Sequence, residues 1–265
     1  MGGGSINECV RWSSREGPVF VKLAEPGRLS MFEAEAEGLR ALAEAGAVRV
    51  PQVLGCGTGG GRAFLALEWI EFGVSSARSE ALLGEQLAAL HRVTERTFGW
   101  HRDNTIGSTP QHNDRDTDWP RFFAERRLGF QLDLAERQGH DRRLIGRGRR
   151  LCEDLGVFFQ AYRPVPSLLH GDLWGGNRAT DVMGQPVIFD PAVYFGDREA
   201  DIAMTRLFGG FSPAFYSAYE AAWPLDPGAD ERRDLYNLYH VLNHLNLFGG
   251  GYERQAERII DRLLE

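Results

Sequence analysis

The run His170-Gly171-Asp172-Leu173-Trp174-Gly175-Gly176-Asn177 carries the densest chemistry in the chain, and Asp190 lies 13 residues beyond Asn177. An aspartate, an asparagine five residues later and a second aspartate after a short strand is the spacing used by the catalytic and metal-binding loops of phosphoryl-transfer enzymes. Each part answers a need of that reaction. The attacking hydroxyl needs an acceptor that holds it and takes its proton, and Asp172 can do this. Mg²⁺ takes a few hard oxygen ligands, which the amide oxygen of Asn177 and the carboxylate of Asp190 can supply. The phosphates that are not transferred need a cation. Of the 30 basic residues, 29 are arginine and one is lysine, Lys22. A guanidinium is a planar fork and an ammonium is a compact point charge, so the lone lysine marks a place where an ammonium is wanted.

Positioning these groups falls to a β-rich start and a helical remainder. Residues 19–23, preceded by Gly17-Pro18, read as a strand that carries Lys22. Residues 30–46 read as a helix, with Ser30 and Glu33 as a capping box and Gly46 as its stop. Its apolar stripe is Phe32, Ala36, Leu39, Leu42 and Ala43. Glu35 falls at the edge of that stripe, whereas Glu33, Glu37, Arg40 and Glu44 lie opposite. From the pattern alone Glu35 either pairs with Lys22 or stays partly solvated. Residues 50–61 read as a short strand with a glycine-rich turn, and residues 63–69 as a second apolar strand. Small polar residues at 73–79 form a linker, which sets the expected domains at 1–72 and 73–265. Beyond it helices are expected around Leu83, Leu87 and Leu90, after a cap at Thr117 or Asp118, and over 144–162, 199–208, 213–223, 232–248 and 253–264. Two short strands, 167–169 and 186–189, bracket the catalytic loop. The fold class is α+β.

Composition sets the outer limits. The chain has 265 residues, net charge −7, 43% hydrophobic and 25% charged residues, the profile of a soluble globular protein. No apolar run reaches the ~18 residues of a membrane span, and the start, Met1-Gly2-Gly3-Gly4-Ser5, has neither the basic nor the apolar region of a signal peptide. No long basic block speaks for sequence-independent nucleic-acid binding. Cys9, Cys56 and Cys152 are isolated and odd in number, which suits free thiols in a reducing cytoplasm. His240 and His244 share a helix face without a third ligand at recognisable spacing, so they read as surface or pocket histidines rather than a metal site.

Residues 168–177 together with 189–201 (FDPAVYFGDREAD) resemble the fructosamine kinase (ketosamine-3-kinase) family, within the aminoglycoside phosphotransferase and protein-kinase-like superfamily. Similar strings occur along nearly the whole chain: Gly2 to Ile6, Met31 to Glu35, Asp103 to Gly107, Thr109-Pro110-Gln111, Trp119, Phe208 to Phe211 and Tyr239 to Asn246. The resemblance implies a protein-kinase-like two-lobe fold, with a small β-rich N-lobe and a larger helical C-lobe. It implies ATP- and Mg²⁺-dependent phosphorylation of the 3-hydroxyl of a ketosamine, free or protein-bound, after which the adduct falls apart and releases the amine. By the same resemblance Asp172 is the catalytic acceptor, Lys22 contacts the α and β phosphates, and Glu35 orients Lys22. Asn177 and Asp190 hold Mg²⁺. Gly3, Gly4 and Ser5 belong to the phosphate loop, which lacks the Gly-x-Gly-x-x-Gly form. Glu68, Trp69 and Ile70 form the hinge whose backbone reads adenine. Trp174 is either a stacking wall for the sugar or a core side chain, and His170 is placed with it on the substrate side. Family members carry a helix and a first strand ahead of the glycine loop; here the loop opens the chain, so that first strand is expected to be missing and a sheet edge unpaired. Two other functions fit the same skeleton: an aminoglycoside or amino-alcohol kinase, and a nucleotide-binding homologue with impaired catalysis.

Overall fold

The computed structural model describes residues 8–15 and 17–265. In chain order the elements begin β1 (Glu8–Ser14), β2 (Gly17–Ala24), α1 (Leu29–Ala45), β3 (Val53–Gly59), β4 (Arg62–Glu68) and α2 (Ala77–His91). There follow β5 (Asn104–Ile106), β6 (Thr109–Gln111), α3 (Trp119–Phe122), α4 (Phe130–Arg137), α5 (Arg142–Glu153) and β7 (Ser167–Leu169). The rest is β8 (Arg178–Thr180), β9 (Pro186–Ile188), β10 (Tyr194–Gly196), α6 (Glu199–Leu207), α7 (Pro213–Ala222), α8 (Ala229–Phe248) and α9 (Tyr252–Leu263). They form two compact units. One comprises Met1–Val93, His170–Val193 and Gly209–Pro224; the other comprises Thr94–Leu169, Tyr194–Phe208 and Leu225–Glu265. Both are discontinuous in sequence, whereas the sequence reading draws one boundary after residue 72.

The first unit is built on an antiparallel sheet in the order β1-β2-β4-β3. β4 alternates strictly, with Ala63, Leu65 and Leu67 buried on one face, as a half-buried strand must. Phe32, Ala36, Leu39 and Leu42 of α1 are buried, and α1 packs on β3 and β4. Gly46, with φ at 63°, stops the helix in the left-handed conformation, as the sequence indicates. Its start differs from expectation. A 3-10 turn over Pro26–Arg28 runs straight into α1, so Arg28 is the N-cap, without a side-chain cap bond, and Ser30 lies inside the helix. β1 is a strand the sequence reading does not single out; it takes the sheet edge beside β2, with Cys9 opposite Lys22. α2 begins at a reciprocal capping box, in which Ser76 and Ser79 each accept from the other's backbone N–H. It lies against α7 so closely that a Cβ on Gly84 would sit 2.3 Å from the Phe215 carbonyl oxygen. β8 and β9 form a hairpin, and their turn is tied by Arg49, which pairs with Asp181 and, at 2.6 Å, with Glu68.

The second unit is mainly helical. α3 leads through a π-helical stretch over Phe123–Gly129 into α4, with Asp118 as the N-cap. β7 pairs with β10 rather than with the strand after the catalytic loop. Asp197 is fully buried and accepts from the hydroxyls of Tyr162 (2.9 Å) and Tyr236 and from the Glu199 N–H (3.0 Å). Burial raises its carboxyl, and these donors pull it back only in part. Arg232 clamps Glu199 with two bonds, at 2.7 and 2.8 Å. These ties join α6, α8 and the segment after α5, and the bonds of Asp197 are those of a helix brace. No helix among the described residues is long and apolar enough to cross a membrane.

Candidate active site

Lys22 comes from the middle of β2, opposite Leu65 of β4. Residues directly opposed in an antiparallel pair share a face, so Lys22 lies among the buried residues and is 5% exposed. A buried ammonium is costly unless opposite charge meets it. Two carboxylates do: Glu35 Oε1 at 2.7 Å and Asp190 Oδ1 at 2.6 Å. Burial pulls the ammonium toward losing its proton, but Glu35 and Asp190 outweigh it and the net shift is upward, so Lys22 stays charged. Burial raises the Glu35 carboxyl, and Lys22 opposes the rise. The helix edge that the sequence assigns to Glu35 therefore faces Lys22. Three residues further along α1, a Cβ on Gly38 would lie 3.0 Å from Val193 Cγ2 and 3.6 Å from Pro191 Cγ. That close approach sets α1 directly against the segment that follows Asp190.

Asp190 is the one non-glycine residue at positive φ among the described residues, at 58°. An aspartate tolerates that conformation better than most residues, at a cost of roughly 1–2 kcal/mol. The turn separates its backbone carbonyl from its carboxylate. The carbonyl accepts from Asn177 Nδ2 (3.4 Å) while the carboxylate reaches Lys22. Asn177 Nδ2 also meets the Asp172 carbonyl oxygen (2.9 Å) and carboxylate Oδ2 (3.2 Å). One continuous set of contacts therefore runs Glu35, Lys22, Asp190, Asn177, Asp172, the five polar residues singled out by type and spacing.

The catalytic loop is braced from behind. Gly171 has φ at 82°, and a Cβ there would stand 2.0 Å from the Ala192 carbonyl oxygen, so only glycine fits. Ala192 N–H donates to the His170 carbonyl (2.8 Å) and Phe189 N–H to that of Asn177 (3.0 Å). His170 is fully buried; its Nε2 is 3.0 Å from the Phe189 carbonyl oxygen, and its Nδ1 accepts from the Asp172 N–H (3.3 Å). Those bonds fix the Nε2–H tautomer and make His170 an internal brace, a different position from the substrate side expected of it. Trp174 is half-buried, with its ring folded over Gly176, where a Cβ would be 2.3 Å from the indole.

At the end of β4 the Glu68 carboxylate is taken by Arg49 and by the Gln52 N–H (3.2 Å), and its backbone N–H bonds the Gln52 carbonyl (2.8 Å). Its side chain thus serves the sheet. Among the described residues the N–H and carbonyl of Ile70 have no partner. Arg11 stacks over the Trp69 ring at 4.8 Å. Gly3, Gly4 and Ser5 lie outside the described residues. Sequence reasoning missed Phe72, whose ring stacks on Phe189 at 5.7 Å beside Asp190. An exposed aromatic just after an apolar strand was its only signal. Sequence reasoning also missed β8, whose three residues are too short to show a period.

Comparison with known proteins gives the family and the fold. Residues 1–265 match the family model described as fructosamine kinase. A probable ketoamine kinase of Synechocystis is 45% identical over 269 residues, covering 100% of this chain and 89% of the relative. A chloroplastic protein-ribulosamine 3-kinase of Oryza sativa subsp. indica is 45% identical over 271 residues, covering 100% of this chain and 78% of the relative. A crystal structure from Haemophilus somnus described as a fructosamine-3-kinase superposes with a TM-score of 0.91 at 32% identity, covering 100% of this chain and 90% of that one. A thermostable mutant of an aminoglycoside phosphotransferase, 14% identical, has a TM-score of 0.66 over 99% of this chain and 93% of that one, and shares the fold. The fold is α+β and protein-kinase-like, as the motifs imply.

Proposed function

The chain belongs to the fructosamine kinase family, and on that premise we propose that it transfers the γ-phosphate of ATP to the 3-hydroxyl of a ketosamine, free or carried on a protein lysine. The observation that carries this reading is the unbroken contact set from Glu35 through Lys22, Asp190 and Asn177 to Asp172. Asp172 accepts the hydroxyl proton as the hydroxyl oxygen forms its bond to the γ-phosphorus. The bond from that phosphorus to the β-bridging oxygen breaks, and ADP leaves with the electron pair. Asn177 donates to Asp172 Oδ2 and so aims the other carboxylate oxygen at the acceptor. Lys22, held by Glu35, turns from Asp190 to the nucleotide phosphates, and Ile70 offers its free backbone groups to adenine. Trp174 walls the sugar, while His170 holds the loop from inside.

The donor set fits Mg²⁺. Asn177 spends its amide nitrogen on Asp172 and Asp190, which leaves Oδ1 for a cation, and the Asp190 side chain is 45% exposed. One carboxylate and one amide oxygen suit an ion that fills its shell with water and phosphate oxygens. When bound there it would neutralise charge on the phosphates during transfer. The product is unstable and releases its amine, so the cellular outcome is deglycation. The free thiols of Cys9, Cys56 and Cys152 suit a reducing compartment, and we place the protein in the cytoplasm.

The test is phosphate transfer from ATP with Mg²⁺ to ribulosyl-lysine and fructosyl-lysine, followed by mass spectrometry. Asp172→Asn should keep its thermal unfolding midpoint and lose ~10²–10⁴-fold in rate. Absence of turnover on both compounds by folded protein, or turnover on an aminoglycoside or amino alcohol in their place, would refute the assignment.

A further inference from the structure

Next to Asn177 stands a buried ion pair that takes no part in the contact set above. Arg178 opens β8, and its side chain is 12% exposed; Glu80 lies in the first turn of α2, and its side chain is 6% exposed. Their hydrogen bonds converge on one short segment. Arg178 Nη1 donates to Glu80 Oε1, and Nη2 donates to the Gly210 carbonyl. The guanidinium lies over the Phe211 ring at 4.5 Å. Glu80 Oε2 accepts from the Ser212 N–H at 3.2 Å. Three consecutive residues are thus held by a carbonyl, a ring and an N–H. Phe211 in turn packs on Phe215 of α7, with ring centroids 4.8 Å apart.

The held segment presses on the catalytic loop, backbone against backbone. A Cβ on Gly175 would lie 3.0 Å from the Gly209 carbonyl oxygen and 3.2 Å from Gly210 Cα; a Cβ on Gly210 would lie 2.9 Å from Gly175 Cα. Gly209 and Gly210 both adopt positive φ, at 71° and 94°. Glycines on both sides make this approach possible, and the ion pair keeps the segment in place. Within the loop Trp174 N–H donates to the Asp172 carbonyl (3.2 Å), Asn177 N–H to the Trp174 carbonyl (3.0 Å), and Asn177 Nδ2 to the Asp172 carbonyl (2.9 Å) and carboxylate (3.2 Å). Residues 209–212 back the loop from outside at Gly175, next to Trp174.

We propose that Glu80 and Arg178 are positioning residues, a clamp that holds residues 209–212 against Gly175-Gly176 and so fixes Asp172 and Trp174 for the acceptor. A buried ion pair is a poor source of stability, since apolar side chains of similar volume often replace one without loss of stability. Its value here is directional, because Arg178 Nη2 and Glu80 Oε2, one atom from each partner, both bond that one segment. Among the described residues the clamp's hydrogen bonds go to residues 209–212 and not to Lys22, Glu35 or Asp190, so its loss falls more on the acceptor than on the nucleotide. That the acceptor is a ketosamine rests on the function proposed above; the clamp itself rests only on the geometry.

The experiment compares Arg178→Lys and the double variant Glu80→Met/Arg178→Met with wild type. Lysine keeps the charge but cannot bond Glu80 and Gly210 while stacking on Phe211; the double variant removes the pair without stranding a charge. For each, kcat/KM for the ketosamine should fall ~10–100-fold, while KM for ATP stays within ~2-fold. Hydrogen exchange is the second readout. The amides of Trp174 and Asn177 should exchange ~10-fold faster or more, while the Ala192 amide, bonded to His170 on the far side of the loop, should exchange as in wild type. A folded variant with wild-type acceptor kinetics overturns the clamp. So does unchanged exchange at Trp174 and Asn177, or a rise in KM for ATP that matches the rise for the acceptor. If wild type fails to phosphorylate any ketosamine while the variants still show selective exchange, the substrate assignment falls and the clamp stands. Should the double variant not fold, Arg178→Lys decides by the same two measurements.

Discussion

Glu35→Gln tests how the active-site charges share one ammonium. Lys22 lies between Glu35 at 2.7 Å and Asp190 at 2.6 Å. The two carboxylates are therefore separated by about 5 Å at most, and at an effective dielectric of ~20 they repel by about 3 kcal/mol. With glutamine at 35 that repulsion is gone, and the ammonium belongs to Asp190 alone. The local charge of the three groups rises from −1 to zero, so a divalent cation must win Asp190 from a lysine that no longer has an alternative. If half of the repulsion is felt at the cation site, about 1.4 kcal/mol, the Mg²⁺ concentration for half-maximal rate rises ~10-fold. Stability should change far less. One charge-assisted hydrogen bond is weakened, at about 1.5–3 kcal/mol, but a carboxylate no longer has to be desolvated, which offsets several kcal/mol. The net is within ~2 kcal/mol, or up to ~8 °C in unfolding midpoint for a chain of this size. The assay is initial rate against Mg²⁺ at saturating ATP and acceptor, with calorimetry alongside. A variant with the wild-type Mg²⁺ requirement would refute the sharing of Lys22, and so would a midpoint loss above ~15 °C with unchanged rate per folded molecule.

Lys22→Arg keeps the charge but puts a fork where two carboxylates converge on a point; it should fold and lose ~10²-fold or more in kcat, and near-wild-type turnover would contradict the reading of the lone lysine. Gly171→Ala meets the Ala192 carbonyl oxygen at 2.0 Å, with a left-handed penalty of roughly 1–2 kcal/mol and overlap worth about 1–3 more, so its unfolding midpoint should drop by several degrees or more, and one within ~2 °C of wild type would be inconsistent with the packing. His240 is buried with Nδ1 unpartnered, and burial, aided by His244 and Arg127 against Asp201, lowers it to about 3 from 6.5. Below pH ~6.5 only the unfolded chain takes that proton, so stability falls with falling pH by up to about 1.4 kcal/mol per unit; His240→Gln should flatten the midpoint-against-pH curve between pH ~6.5 and ~5, and an unchanged slope would assign the acid sensitivity elsewhere.

How much of this was legible in the sequence depended on the range of the interaction that decides each feature. β2, β4 and most helices follow from local periodicity, and their spans agree with it to within a few residues. The start of α1 does not, because a 3-10 turn at Pro26–Arg28 carries the helix past the cap that Ser30 and Glu33 suggest. β1 escaped notice because Glu8–Ser14 is exposed along almost its whole length and shows no buried face. β7 takes β10 as its partner, a choice made by tertiary packing rather than by the loop between 167–169 and 186–189. Its place in the motif puts His170 on the substrate side, yet a side chain two residues from Asp172 can point inward, and both of its nitrogens bond backbone atoms of Phe189 and Asp172.

The site and the clamp show why chemistry is easier to read than support. Phosphoryl transfer dictates residue types: an ammonium, a proton acceptor and hard oxygens, each with few substitutes. That restriction left Lys22, Asp172, Asn177 and Asp190 visible before any contact was known. A support dictates only that one segment be held, and many pairs of complementary groups can hold it. Glu80 and Arg178 are 98 residues apart, on a helix and a strand that no local pattern joins, and neither type is rare in a chain with 29 arginines. Only the convergence of their bonds on Gly210, Phe211 and Ser212 sets them apart from the other ion pairs. The same reasoning explains why arginine serves the clamp and lysine the phosphates. Holding a carboxylate, a carbonyl and a ring at once needs a flat, multidentate donor, whereas moving between a carboxylate and a phosphate needs a single charge on a flexible stem.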